Sequence, residues 1–287
     1  MSKIVSEVNS DPDFYDMYDA KGMKHYFKSG GGGFSYEDKL YQQYRTLGLV
    51  PRTFVPAGAA NDLPDLMMNV APSMFSDGGS PAKYRVKKEI KVEIKLNTSA
   101  DFGQSGLKCR PDGTWYLDGQ DSPEGRQMRK LLEAMGVPRI VQSVWGKAGR
   151  PRIFDHKGPA KDMPQRDLEY DRNNFKDIML KGSDAPTVNT LFNYYGTKRT
   201  FYLQIGGYGL YYMAQDPAEL SSIGVKKFDG TLKLRIRRKP GGSSREPWKY
   251  RFSTALLIDK KPTKSRFDLD AVSDPLYFLD PDFIVVP

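Results

Sequence analysis

Residues 85–96 read RVKKEIKVEIKL, and the alternation within them decides the first element of the fold. Val86, Ile90, Val92, Ile94 and Leu96 fall on even positions, while Lys87, Glu89, Lys91, Glu93 and Lys95 fall on odd ones. That is the period of a half-buried strand with one apolar and one ionic face. On such a strand Glu93 and Lys95 project from the same side about 7 Å apart. A carboxylate so placed can hold a metal ion while the ammonium sits over the water bound to it. Glu89-Ile90-Lys91 is a second Glu-x-Lys on the same face, and the chain after Val70 is long enough for either register. The denser apolar run of Val92, Ile94 and Leu96 favours Glu93 and Lys95.

Upstream, Phe34-Ser35-Tyr36-Glu37-Asp38 opens a helix. Ser35 can cap it, and Leu40, Tyr41, Tyr44 and Leu47 recur at helical spacing up to Gly48. Glu37 aligns at i, i+3, i+4 and i+7 with Leu40, Tyr41 and Tyr44, which puts a carboxylate on the inward face, where it needs a partner. Residues 49–55 and 65–70 read as short strands leading to the 85–96 strand, and Asp65 follows Pro64. Downstream, Ser122-Pro123-Glu124 starts a second helix ending at Gly136. A strand is expected over 139–145, an exposed basic loop over 146–164 and a helix over 166–180. Beyond Thr197 the pattern turns to β, with strands over 200–214, 230–238 and 248–259 and a turn at Asp229-Gly230.

The chain is long enough for one large domain or two modest ones, and the expected division is linear. Residues 1–30 form an acidic, aromatic arm ending in the Gly30–Gly33 hinge, 31–190 an α/β (α+β) core, and 191–287 a β-rich region with an acidic tail. The 44 Lys and Arg against 35 Asp and Glu give a formal charge of +9, which points to a polyanionic partner. The excess is local. Residues 226–266 hold 14 bases against Asp229, Glu246 and Asp259, whereas 267–287 hold five aspartates and no base. Within Gly230–Lys239, Lys233, Arg235 and Arg237 alternate with Leu232, Leu234 and Ile236, so one strand face would present cations to phosphates about 7 Å apart, and Arg238 and Lys239 at the end of the run are counted with them as nucleic-acid-binding residues. The plainer role for such a face is an edge that deters strand pairing. Tyr202, Tyr208, Tyr211 and Tyr212 suit sheet packing better than base stacking.

Several classes are disfavoured. The single Cys109 allows no intrachain disulfide and no multi-cysteine zinc site, which fits a reducing, intracellular compartment. No run approaches the ~18 apolar residues that span a bilayer, and MSKIVSEVNSDPDF lacks the order of a signal peptide, so a soluble protein is expected. The glycine run is not followed by Gly-Lys-Ser/Thr, which argues against a nucleotide cofactor. With only His25 and His156 scattered along the chain, a histidine-metal nuclease is disfavoured.

Helix carboxylate, then Pro-Asp, then Glu-x-Lys is the order in which the chain resembles the PD-(D/E)xK nuclease superfamily. The likeness covers roughly Gly33 to Val144 and is carried by GGFSYEDKLYQQYRTLGLV, NDLPDLMMNV and KVEIKLNTSADFGQSGL. It implies a restriction-endonuclease-like mixed-sheet core flanked by helices. It also implies that Asp65 and Glu93, with the Ile94 carbonyl, bind Mg²⁺, Mn²⁺ being a substitute, and that Lys95 orients or deprotonates the attacking water. Glu37 would complete the site from the helix, and Gln104 would stand near the phosphate. Taken singly, these residues have plainer roles: a solvated Lys/Glu face, a turn aspartate, a first-turn acid.

The resulting expectation is a metal-dependent DNA endonuclease, site-selective (restriction or homing type) or structure-selective (junction-resolvase type). Double-strand cleavage from one site per chain would require a homodimer or sequential nicking. A nucleic-acid-binding protein with an inactive nuclease-like core, or a β-rich assembly protein, are the alternatives.

Overall fold

The computed structural model describes residues 14–18, 24–28, 32–46, 48–56, 64–70, 88–118, 123–157, 162–239 and 251–270. Among them are five α-helices, two five-stranded sheets and a two-stranded hairpin, a mixed α and β architecture as expected. The chain divides into two units, each assembled from separate stretches. Unit 1 takes Met1–Ala100, Lys198–Phe228 and Thr263–Pro287, and unit 2 takes Asp101–Thr197 and Asp229–Pro262. This differs from a linear division at residue 190. The strands at 232–239 and 251–258 find their partners among strands at 103–109 and 178–180, so pairing, not chain order, defines the units.

Unit 1 contains the hairpin β1 (Phe14–Tyr18) and β2 (Lys24–Lys28), helix α1 (Gly32–Thr46), and strands β3 (Leu66–Val70) and β4 (Lys88–Lys95). Its later strands are β8 (Tyr202–Ile205), β9 (Gly209–Tyr212) and β10 (Lys226–Lys227), and its sheet runs β10-β9-β8-β4-β3. β4 is antiparallel to β3 and parallel to β8. Tyr36, Leu40, Tyr41 and Tyr44 of α1 pack with Leu66, Met68, Ile90, Val92 and Ile94 into one core, so the helical stripe and the even face of β4 are buried as their periods require. Gly32 and Gly33 belong to α1 rather than to a hinge.

No strand forms over residues 49–55. Pro51 has no N–H for a ladder, and the Phe54 N–H donates to the Pro51 carbonyl in a turn that sends Val50 and Phe54 into the core. At the start of β9, the Leu210 N–H donates to the Phe267 carbonyl, and the Tyr208 carbonyl accepts the Ser265 N–H. The Tyr44 hydroxyl donates to the Leu269 carbonyl. The start of the acidic tail is therefore fastened to α1 and β9.

Unit 2 holds β5 (Gly103–Cys109), β6 (Trp115–Asp118), α2 (Pro123–Ala134), α3 (Val137–Trp145), α4 (Gln165–Asn174), β7 (Ile178–Leu180) and α5 (Val188–Thr197). β11 (Leu232–Lys239) and β12 (Arg251–Ile258) complete an antiparallel sheet in the order β6-β5-β12-β11-β7. Two expectations are corrected here. Residues 139–145 are helical, because Val137, Val141 and Trp145 bury one face at i, i+4 and i+8. The expected 166–180 helix stops at Asn174, and Ile178–Leu180 pairs instead with β11. Trp115, Trp145, Phe175 and Phe252 form the centre of this unit, with ring centroids 5.1–6.0 Å apart.

The 77–79 loop, Ser122, most of the 1–30 arm and residues 271–287 lie outside the described residues. No described helix is long and apolar enough to cross a membrane.

Candidate active site

The site is built at the end of β3. Leu66 pairs with Val92 in the antiparallel ladder, so Asp65, one residue before β3, stands across from Glu93. Its Oδ2 accepts the Ile94 N–H at 2.8 Å. A residue in an extended strand directs its N–H and C=O to the same edge, so the Ile94 carbonyl opens on the side where β3 has ended. The Lys95 carbonyl turns to the opposite edge, where it accepts the Gly206 N–H at 2.9 Å. This alternation places the Asp65 carboxylate and the Ile94 carbonyl on one side of the chain.

The ionic face of β4 is graded. Glu89 and Lys91 are 4.0 Å apart, and the Glu89 side chain is 50% exposed. Further along, the Glu93 side chain is 7% exposed, and Lys95 Nζ donates to its Oε1 at 2.5 Å. β8 flanks this end of β4, Leu203 lying against Glu93. Of the two Glu-x-Lys pairs, only Glu93 and Lys95 are enclosed next to Asp65.

Sequence patterning missed one residue. Lys198, which follows α5 in the chain and returns it to unit 1, places Nζ 3.9 Å from Glu93 Oε2 with 6% of its side chain exposed. The only local signal was a Lys198-Arg199 pair between a helical and a strand pattern. Nothing in chain spacing could tie it to Glu93.

Electrostatics couple the four residues named from sequence. Burial pushes Glu37 up to about 8, with Asp65 and Glu93 pushing the same way and Lys95 opposing. Burial likewise pushes Asp65 up to about 7, helped by Glu93 and opposed by Lys95, the Ile94 N–H and Lys198. Burial alone would lower the Lys95 ammonium, but Glu93, Asp65 and Glu37 together raise it. Carboxyls this desolvated and this close favour a shared proton or a cation.

The donor set suits a hard cation. Among the described residues no three His, Cys, Asp or Glu side chains are grouped so as to hold a metal ion. Mg²⁺ commonly takes only one or two protein carboxylates and keeps several waters, and Asp65, Glu93 and the Ile94 carbonyl are oxygen donors of the kind it takes. Glu37 lies close enough to feel both carboxylates.

Gln104 lies on β5 of unit 2, where its exposed side chain donates through Nε2 to Asp101 Oδ2 at 2.7 Å. The cations of β11 are also in unit 2, and each alternating one has an acidic partner. Arg235 pairs with Asp177 at 2.6 Å, Arg237 with Asp101 at 2.6 Å and Lys233 with Asp259 at 3.5 Å. Arg238 lies near enough to Asp171 to act on its carboxyl. The side chain of Lys239 lies outside the described residues. Tyr202 and Tyr211 are fully buried, as sheet packing requires. No family model matches the chain, and no match is found among curated proteins or solved structures.

Proposed function

We propose that the protein is a metal-dependent DNA endonuclease whose restriction-endonuclease-like active site lies in unit 1. One observation carries this reading: Asp65, from the end of one strand, meets the enclosed Glu93 and Lys95 of the next, with Glu37 of α1 in the same electrostatic field. Asp65, Glu93 and the Ile94 carbonyl would hold Mg²⁺ or Mn²⁺. A bound ion supplies positive charge against the phosphate and makes water more acidic. Lys95, fixed by Glu93, directs an ammonium at the attacking water and the phosphate oxygens. Glu37, protonated near neutral pH, can donate a hydrogen bond or give up its proton when a cation arrives. Duplex DNA is the proposed substrate, on the strength of the chain's net positive charge. Site-selective and structure-selective cutting are both compatible with this site.

A second reading is a DNA-binding protein with an inactive core. It is favoured by the two ammoniums, Lys95 and Lys198, that neutralise Glu93. The test is incubation with supercoiled, linear and branched DNA in Mg²⁺, Mn²⁺ or EDTA, beside Asp65→Asn and Lys95→Ala. Metal-dependent cutting that is lost in both variants supports the nuclease. Binding without cutting on every substrate supports the inactive core, and cutting that survives both substitutions places the active site elsewhere.

A further inference from the structure

Glu93 is a carboxylate with an ammonium at each oxygen, Lys95 at Oε1 and Lys198 at Oε2. Lys95 is explained by its place on the same strand face. Lys198 is not, because it arrives from a distant part of the chain and keeps 6% of its side chain exposed. Burying an ammonium is costly, and a second one on an already paired carboxylate adds less than the first. The Glu93 contact by itself gives little reason for a second ammonium on this carboxylate.

A charge count gives one. With Asp65 and Glu93 ionised, these two and Lys95 sum to −1, and Lys198 brings the sum to neutral. A single divalent cation then makes it +2, which suits a phosphodiester gaining negative charge as it is attacked. Sites that use two metal ions obtain such an excess from the second ion, which also steadies the leaving oxygen. Here the carboxylates for a second full ligand set are missing among the described residues, and a second ammonium stands beside Glu93.

We propose that Lys198 is a further catalytic residue of this site, a fixed cation that contacts the scissile phosphate in place of a second metal ion. The inference rests on the nuclease reading. In hydrolysis the water oxygen bonds to phosphorus and the phosphorus–ester oxygen bond breaks. Its electron pair stays on the leaving oxygen, which takes up a proton from the water. Lys198 gains and loses no atom in this step. Its ammonium turns from Glu93 towards a phosphate oxygen, while Glu93 turns to the ion.

The test uses the full chain with Lys198→Met, Lys198→Gln and Lys198→Arg, each checked for folding by thermal melting. Mn²⁺ binding is followed by calorimetry, affinity for duplex DNA is measured in Ca²⁺, and cleavage is measured under single-turnover conditions in Mg²⁺. The expected wild-type result is one Mn²⁺ per chain. Lys198→Met and Lys198→Gln should bind Mn²⁺ at least as tightly, because a competing ammonium is gone. They should bind DNA about ten- to hundredfold more weakly, as loss of a charged hydrogen bond implies, and cleave roughly a hundredfold more slowly. Lys198→Arg should recover part of both. A wild type that takes up two Mn²⁺ overturns the inference, as do neutral variants that bind DNA and cleave like wild type. A wild type that binds no divalent cation overturns the nuclease reading itself and this inference with it.

Discussion

Asp65 and Glu93 face each other across the end of an antiparallel ladder, and the Asp65 carboxylate takes the amide N–H of Ile94, the residue after Glu93. The Asp65 carboxylate is thereby held by a backbone N–H, while that of Glu93 is held by the ammoniums of Lys95 and Lys198. Their mutual repulsion is part of the folded state until a cation or a proton relieves it.

That repulsion has a pH signature. Glu37 and Asp65 hold their protons up to about 8 and about 7 in the folded chain, against about 4 when unfolded. The folded state therefore binds more protons across that window, and stability falls as pH rises through it. The cation-free protein should melt at a higher temperature at pH 5.5 than at pH 8.5. Asp65→Asn should flatten the profile in thermal melts, and an unchanged profile would contradict the assignment.

Added Mg²⁺ or Mn²⁺ should raise the melting temperature at high pH and have little effect at low pH, where the carboxyls carry protons. Chelation should reverse the rise. Glu93→Gln should abolish it, while Glu89→Gln, on the exposed part of the same strand face, should leave it intact.

Gly206 is where β8 passes the end of β4. Its N–H bonds the Lys95 carbonyl, and a β-carbon there would collide with the carbonyl of Leu96, a backbone atom that cannot swing aside. Gly206→Ala should cost about 1–3 kcal/mol in urea unfolding and shift the backbone that carries Lys95, lowering cleavage beyond what lost stability explains.

Gln204 is fully buried. Its Nε2 donates to the Tyr36 hydroxyl at 3.2 Å and to Asp268 Oδ1 at 2.5 Å, and its Oε1 accepts the Leu269 N–H at 3.1 Å. Gln204→Leu would strand these groups, at about 1–3 kcal/mol for each buried group left unmade. The expected result is a lower urea midpoint and earlier proteolysis near residues 263–270, since this side chain joins that segment to α1 and β8.

The β11 cations should behave as structural residues first. Arg237 and Asp101 are 14% and 18% exposed and bonded to each other, so Asp101→Asn should destabilise the chain by about 1–3 kcal/mol. Arg235→Ala should leave the salt dependence of DNA binding nearly unchanged, because Asp177 already neutralises it. A slope reduced by about one counterion would show instead that Arg235 meets phosphate.

The local elements were written into the chain. The alternation over residues 88–95 and the stripe of Tyr36, Leu40 and Tyr44 depend on neighbours a few residues apart, and β4 and α1 bury the faces those periods predict. Period alone misled where a short apolar run fitted both kinds of element, as at Ile140-Val141, which is helical because its stripe extends to Val137 and Trp145. What no local pattern could supply was which distant stretches pair. The apolar run of Val92, Ile94 and Leu96 already favoured Glu93 over Glu89, but the enclosure of that pair beside Asp65 comes from where β3 stops and β8 begins. The neutralised face of β11 came from aspartates at 101, 177 and 259, and the second ammonium on Glu93 from a lysine that follows α5. Side-chain periodicity is a property of a few consecutive residues and can be read in one dimension, whereas the electrostatics of a site depend on distances between residues that only the folded chain brings within reach.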